Sequence, residues 1–131
     1  MWTIVTSQDL PITWNDKGDS VQSTIQVRLN IDQHGNTPVT LYCDFPDTGS
    51  AALSGVLLDQ LIGFGVTGFP NATIVRRTVD STTIEQGCVQ FSVTSPINPS
   101  VRVDGFIPCL SDFDCYGYGL TNCNDITFIC E

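Results

Sequence analysis

The fold class is decided by residues 24–31, which read TIQVRLNI. Apolar side chains occupy every second position from Ile25 to Ile31, with polar side chains between them. Because successive side chains of a β-strand point to opposite faces, this pattern predicts a strand with one buried face and one exposed face. Further apolar or alternating runs recur at a spacing close to that of a β-sandwich. They are residues 10–14, 39–43, 73–79, 88–93 and 101–103.

One segment has a different period. Leucine recurs every four residues at Leu53, Leu57 and Leu61, which predicts a short helix over residues 51–62. Together the runs predict an all-β protein, an antiparallel immunoglobulin/fibronectin-like β-sandwich with one short helix and a disulfide-rich C-terminal tail. We place the sandwich domain at residues 1–105 and the cysteine-rich tail at residues 106–131.

Composition and charge exclude several classes of function. The 131 residues include 14 acidic and 5 basic residues, for a net charge of −9, which would repel a phosphate backbone. We therefore predict no nucleic-acid partner. No apolar run approaches the roughly 18 residues of a membrane span. Met1 is followed by Trp2 and a polar stretch, so we expect an exported domain whose signal peptide is not in this chain.

The six cysteines indicate an oxidising compartment. An even number of cysteines suits disulfides, which form and persist outside the cytosol. We therefore predict an extracellular or cell-surface location. Cys43 and Cys88 each lie in a predicted strand, and we pair them with each other.

The other four cysteines lie in the tail, in the pattern C-x5-C-x7-C-x6-C. Structural zinc sites favour two cysteines separated by two to four residues, and that spacing is missing here, which favours disulfides over zinc. Four cysteines allow three pairings, and the spacing alone does not select one. Our choice is Cys109 with Cys123 and Cys115 with Cys130.

The tail also resembles a known kind of module. The residues PCLSDFDC from Pro108 to Cys115, followed by Cys123 and Cys130, resemble the "PC-x-SD-x-DC…C…C" modules of secreted proteins from myxobacteria and their relatives. Those modules are similar to the Dickkopf N-terminal cysteine-rich region. The body resembles β-sandwich domains of the same surface proteins. The resemblance implies a location and an architecture, and it carries over no activity.

Residues 47–50, DTGS, match the active-site signature of aspartic proteases, in which two aspartates share a proton and activate a water molecule. With one copy of the signature, such an enzyme would need a homodimer with Asp47 from each chain. Pro46 in front of Asp47 favours a β-turn instead. The only histidine, His34, lies in a turn-like segment where nothing orients it for catalysis. We predict a chain that is not an enzyme, and the retropepsin-like homodimer is the alternative.

Calcium is an open alternative in the tail. Several side chains there carry the oxygens that calcium prefers, but their spacing fits no EF-hand loop, which favours a role in turns. We predict neither a metal nor a cofactor. The residues concerned are Asp112, Asp114, Asn122, Asn124 and Asp125.

Aromatic residues are the predicted ligand contacts. Tyr116 and Tyr118 lie in a glycine-bearing loop after Cys115, and Phe64 and Phe69 lie in a glycine-rich loop over residues 63–70. We expect a non-catalytic module for adhesion, ligand binding or assembly, with a protein or glycan partner at a cell surface. A structural or filament subunit that self-associates through exposed strand edges is the alternative.

Overall fold

The computed structural model describes residues 1–15, 22–31 and 39–131, and these residues form eight strands and two helices. The predicted mostly-β fold with antiparallel sheets and a disulfide-rich C-terminal region is confirmed. His34 lies outside the described residues. The elements are β1 Trp2–Ile4, β2 Leu10–Thr13, β3 Ser23–Asn30, β4 Leu41–Pro46, β5 Ser50–Leu53, α1 Gly55–Gly63, β6 Asn71–Ile84, β7 Gly87–Ile97, β8 Val101–Val103 and α2 Asp112–Tyr116.

The largest sheet contains four antiparallel strands in the order β4-β3-β6-β7. In β3 the predicted alternation holds, because Ile25, Val27 and Leu29 are each at most 1% exposed. Val27 is level with Cys43 on β4 and with Ile74 on β6. Residues that are level with one another point to the same face, so this face of the sheet is apolar across three strands.

The main core lies where this face meets two small sheets and helix α1. β2 pairs antiparallel with β5, where Leu10 is opposite Leu53, and β1 pairs parallel with β8, where Ile4 is opposite Val103. These four side chains and Leu58 of α1 are buried in one cluster with the apolar face of the large sheet. The immunoglobulin-like topology stays a prediction, and the parallel β1–β8 pair departs from a purely antiparallel sandwich.

Helix α1 begins later than the leucine period predicts. Residues Ser50–Leu53 form strand β5, so Leu53 is buried by a strand and not by the helix. The helix begins at Gly55, whose backbone N–H donates to Asp9 Oδ1 at 2.7 Å. A carboxylate at this position satisfies an N–H group that has no partner within the helix. The second helix, α2, was not predicted.

The predicted disulfide between Cys43 and Cys88 is wrong, because both residues are free thiols. Cys43 is on β4 and Cys88 is on β7, with β3 and β6 between them. Three strand spacings amount to about 14 Å, whereas a disulfide needs Cα atoms within about 7 Å. Cys88 is also opposite Thr83, far along β6 from the level of Cys43.

The predicted tail pairing is confirmed. Cys109 bonds Cys123 and Cys115 bonds Cys130, and together with a few apolar neighbours these cysteines form a second, smaller buried cluster. The tail contacts the body at Gly68, whose N–H donates to the carbonyl of Thr127 at 2.8 Å. A Cβ atom at Gly68 would lie 2.4 Å from the carbonyl oxygen of Phe128, so only glycine fits this contact. The boundary at residue 105 stays a prediction.

Candidate functional site

Four apolar or aromatic side chains are exposed on and beside helix α2. Phe113 and Tyr116 are three residues apart on the helix, with their rings in an edge-on contact at 5.6 Å. Leu110 precedes the helix and Tyr118 follows it. Their exposed fractions are 75% for Leu110, 82% for Phe113, 54% for Tyr116 and 66% for Tyr118. We call these four residues the α2 surface.

The disulfide between Cys115 and Cys130 anchors the α2 surface from beneath. Cys115 lies between Phe113 and Tyr116 on the helix, and it is fully buried. Its carbonyl accepts the N–H of Tyr118 at 3.0 Å and the N–H of Leu120 at 3.3 Å. The exposed rings are therefore carried by a backbone that is fixed covalently and by hydrogen bonds, which lowers the entropy lost when a partner binds.

The acidic side chains of the tail hold its backbone in place. Asp114 Oδ2 accepts the N–H groups of Leu110 at 2.9 Å and Ser111 at 3.0 Å, and these bonds hold the pKa of Asp114 below its usual range. Asp112 Oδ1 accepts the N–H of Cys123 at 2.8 Å. Asn124 Oδ1 accepts two N–H groups of the following turn. These side chains therefore accept hydrogen bonds from the backbone of turns, which is the role that the sequence favours over calcium binding.

The two predicted phenylalanines lie away from α2 in the sequence and differ from each other. Phe64, which directly follows helix α1, is 64% exposed. Phe69 meets the ring of Phe128 edge-on at 5.3 Å, so it contributes to the contact between body and tail. Of the four predicted contacts, only Tyr116 and Tyr118 therefore belong to the α2 surface, which also contains Leu110 and Phe113.

The carboxylate of Asp47 accepts hydrogen bonds from three side chains, Trp14, Ser23 and Arg76. Its Oδ1 accepts Trp14 Nε1 at 2.6 Å and Arg76 Nη2 at 3.0 Å, and its Oδ2 accepts Ser23 Oγ at 2.5 Å and Arg76 Nε at 2.7 Å. The Asp47 side chain is 4% exposed. Arg76 also donates to the carbonyl of Asn15. The carboxylate thereby joins the β4–β5 connection to β3, to β6 and to the end of β2.

This geometry gives Asp47 a structural role. The Arg76 guanidinium holds the pKa of Asp47 below its usual range, hydrogen bonds from Ser23 and Trp14 lower it as well, and burial opposes them. An aspartic protease needs two carboxylates that share a proton next to a water molecule. Here both oxygens of one carboxylate accept hydrogen bonds from described side chains, so the DTGS sequence gains no support as a catalytic signature.

The stability that Asp47 contributes should be lost in acid. Because its pKa is lower in the folded than in the unfolded chain, the contribution is complete above about pH 4 and is lost as pH falls through the folded pKa. We expect the difference in free energy of unfolding between the wild type and Asp47→Asn to be constant at neutral pH and to shrink below about pH 4. Urea unfolding at a series of pH values measures it. A difference that persists unchanged in strong acid would contradict the ion pair.

Metal chemistry finds little support among the described residues. Cys109, Cys115 and Cys123 bring their sulfur atoms within 4.8 Å of one another, but each is bonded in a disulfide and offers no thiolate. Cys43 is a free thiol whose pKa is raised by burial and by the charge of Asp44, which disfavours the thiolate form that binds a metal.

A cleft of about 40 Å³ lies between the body and the tail, with Val66, Pro70 and Ile129 among its lining residues. Since one water molecule needs at least about 10–15 Å³, the cleft holds roughly three and is too small for a ligand.

No helix in the described ranges is long and apolar enough to cross a membrane. No protein-family model, curated protein or solved structure matches this chain, and the resemblance of its tail to secreted cysteine-rich modules therefore stays a prediction.

Proposed function

We propose that this chain is a non-catalytic module of the extracellular space or cell surface that binds a protein or glycan partner through the α2 surface. The observation that carries the proposal is the exposure of Phe113, Tyr116 and Tyr118 on a backbone fixed by disulfides. Large apolar side chains stay exposed at a cost to solubility, and a group of them marks an interaction site.

Aromatic rings suit both classes of partner. A tyrosine ring offers a flat apolar face to a sugar or a side chain, and its hydroxyl group offers a hydrogen bond at the rim. Asp112 and Asp114 flank Phe113 in the sequence, which adds negative charge beside the rings. The α2 surface therefore fits a partner that combines apolar patches with hydrogen-bond donors or positive charge.

The location rests on the disulfides. Two disulfides in the tail are compatible with an oxidising compartment. The resemblance to secreted modules of myxobacteria and to the Dickkopf cysteine-rich region supports the same location. We propose export to the cell exterior on these grounds.

Binding can be tested with the intact, oxidised chain on an array of surface polysaccharides and extracellular proteins. We expect saturable binding to at least one member, reduced at least tenfold in Tyr116→Ala and in Phe113→Ala, because rigid aromatic side chains dominate such interfaces. Ile126→Ala is the matched control, because Ile126 is also an exposed tail residue but lies outside the α2 surface. Binding that survives Phe113→Ala and Tyr116→Ala, or the absence of any saturable binding, would refute this role.

A further inference from the structure

Strand β7 has a long outer edge at one side of the largest sheet. It runs for 11 residues, from Gly87 to Ile97, and pairs with β6 along one side. Within the described parts of the chain, no strand pairs with its other side. β3 pairs with β6 only as far as Thr78, so the outer half of the β6–β7 hairpin extends beyond the rest of the sheet. Natural proteins usually protect an edge of this length.

The register shows which backbone groups point outward. The hairpin turns at Glu85 and Gln86, with Ile84 opposite Gly87, and the hydrogen bond across such a turn directs the Gly87 N–H toward β6. Because the direction alternates along a strand, the even-numbered residues from Cys88 to Thr94 direct their N–H and C=O groups away from β6. Pro96 is the next in this series and has no N–H, so it ends the usable edge near the body.

The composition of this edge favours a second copy of the same chain. The chain carries a net charge of −9, yet the segment from Gly87 to Ile97 contains no charged residue. Two copies can therefore bring this strand together without like charges in direct opposition. Asp80, opposite Phe91 on β6, would be about 14 Å from its counterpart in the second copy, which is beyond the Debye length of about 8 Å at physiological salt.

The apolar pattern of the strand is symmetric about Phe91. Val89 and Val93 lie two residues to either side of it on the same face of the hairpin. Phe91 is 56% exposed and Val93 is 67% exposed. An antiparallel pair of identical strands has a twofold axis, so a sequence that is symmetric about one residue can place like side chains opposite each other.

We propose that two copies of this chain associate by antiparallel pairing of their β7 strands, with Phe91 on the twofold axis. In this register Phe91 faces Phe91 of the second copy, Val89 faces Val93, and the six side chains form one apolar stripe. Cys88 is opposite Thr94 and Gln90 is opposite Ser92, so the outward N–H and C=O groups of residues 88 to 94 find partners. The two large sheets thereby join into one, and the proposal is independent of the α2 surface.

The register is tested by a cross-link. Cys88 and Thr94 of the second copy form a hydrogen-bonded pair with Cα atoms about 5.5 Å apart, a separation that suits a disulfide. Within one chain the same two residues are about 20 Å apart along the strand. In a Cys43→Ser background, Thr94→Cys should give a reducible dimer in an oxidised-glutathione buffer. Thr94→Ser in that background should stay uncross-linked, and so should Thr94→Cys with Cys88→Ser added. An uncross-linked Thr94→Cys chain overturns this register.

Association itself is tested by sedimentation over a range of protein concentrations. The mass should rise from the 14.2 kDa of one chain toward twice that value, more readily at high salt, because salt screens the net negative charge. Gln90→Pro removes an outward N–H and should lower association at least tenfold, whereas Gln90→Thr keeps the N–H and should associate like the wild type. Tyr116→Ala should leave association unchanged. A wild type that stays monomeric, including one that pairs only with strands of other proteins, overturns the proposal.

Discussion

Asp47→Ala should lower the free energy of unfolding by about 3 kcal/mol. The substitution leaves the Arg76 guanidinium, whose side chain is only 20% exposed, without its counter-ion. It also removes the acceptor for Trp14 Nε1 and for Ser23 Oγ. At roughly 4 °C for each kcal/mol, the midpoint of thermal unfolding should fall by about 12 °C. Urea unfolding and calorimetry measure both quantities.

A neighbouring carboxylate on β4 supplies the control. Asp44 accepts one exposed hydrogen bond, from Gln26 at 3.1 Å, so Asp44→Ala should change the stability by about 0.5 kcal/mol or less. Arg76→Ala combined with Asp47→Ala should cost less than the sum of the two single substitutions, because each single substitution already breaks the pair. Additive costs would show that the ion pair does not stabilise the fold.

Removing either tail disulfide should cost about 3 kcal/mol of tail stability, since each closes a loop with a sequence separation of 14 or 15 residues. The buried cluster of the tail consists mainly of the cysteines themselves, with Ile107 and Leu120 packed against it, so few other contacts remain. The variants Cys109→Ser/Cys123→Ser and Cys115→Ser/Cys130→Ser avoid unpaired thiols. We expect the tail to open locally while the sheets of the body persist.

Hydrogen exchange resolves this local opening. The N–H of Cys109 donates to the carbonyl of Phe128, and the N–H of Cys130 donates to the carbonyl of Ile107, both at 2.9 Å. Such amides should lose protection in the disulfide variants, while the amides of β3 keep theirs. Cys88→Ser is the control, because Cys88 is a free, exposed thiol. Full protection of the tail in both disulfide variants would contradict the prediction.

Local pattern identified six of the eight strands, but it did not identify β1 or β5 and could not give the arrangement of the strands. The alternation in residues 24–31 identifies β3 because one face of that strand is buried and the other is not. The same information could not pair Cys43 with a partner, because membership of a strand does not reveal how many strands lie between two residues. Helix α1 was placed too early because the leucine period includes Leu53, which is buried by β5.

The Asp47 cluster was missed because its members come from four separate segments. A signal was nevertheless present in the sequence. Arg76 is two residues after Ile74, on the face of β6 that points to the core, and a charge on that face needs a partner. In the tail, Phe113 could have been selected with Tyr116, because Asp112 and Asp114 on either side of it oppose burial. Arg76 and Phe113 could have been selected only by considering two things at one position: the face on which the side chain lies, and the charges at or next to that position.

The parallel pairing of β1 with β8 has a consequence for mechanical load. Tension applied between the N-terminus and the tail pulls Trp2 and Val103 toward opposite ends of the same short ladder. Such a pull shears the two strands along their length, so the ladder and the flanking bonds from Trp2 N–H to Ser100 and from Asp104 N–H to Ile4 are stretched together and not one after another. Beyond β8 the disulfides limit how far the tail can extend. If the chain is attached at its N-terminus and at its tail, the body should therefore resist stretching more than the short length of β1 and β8 suggests.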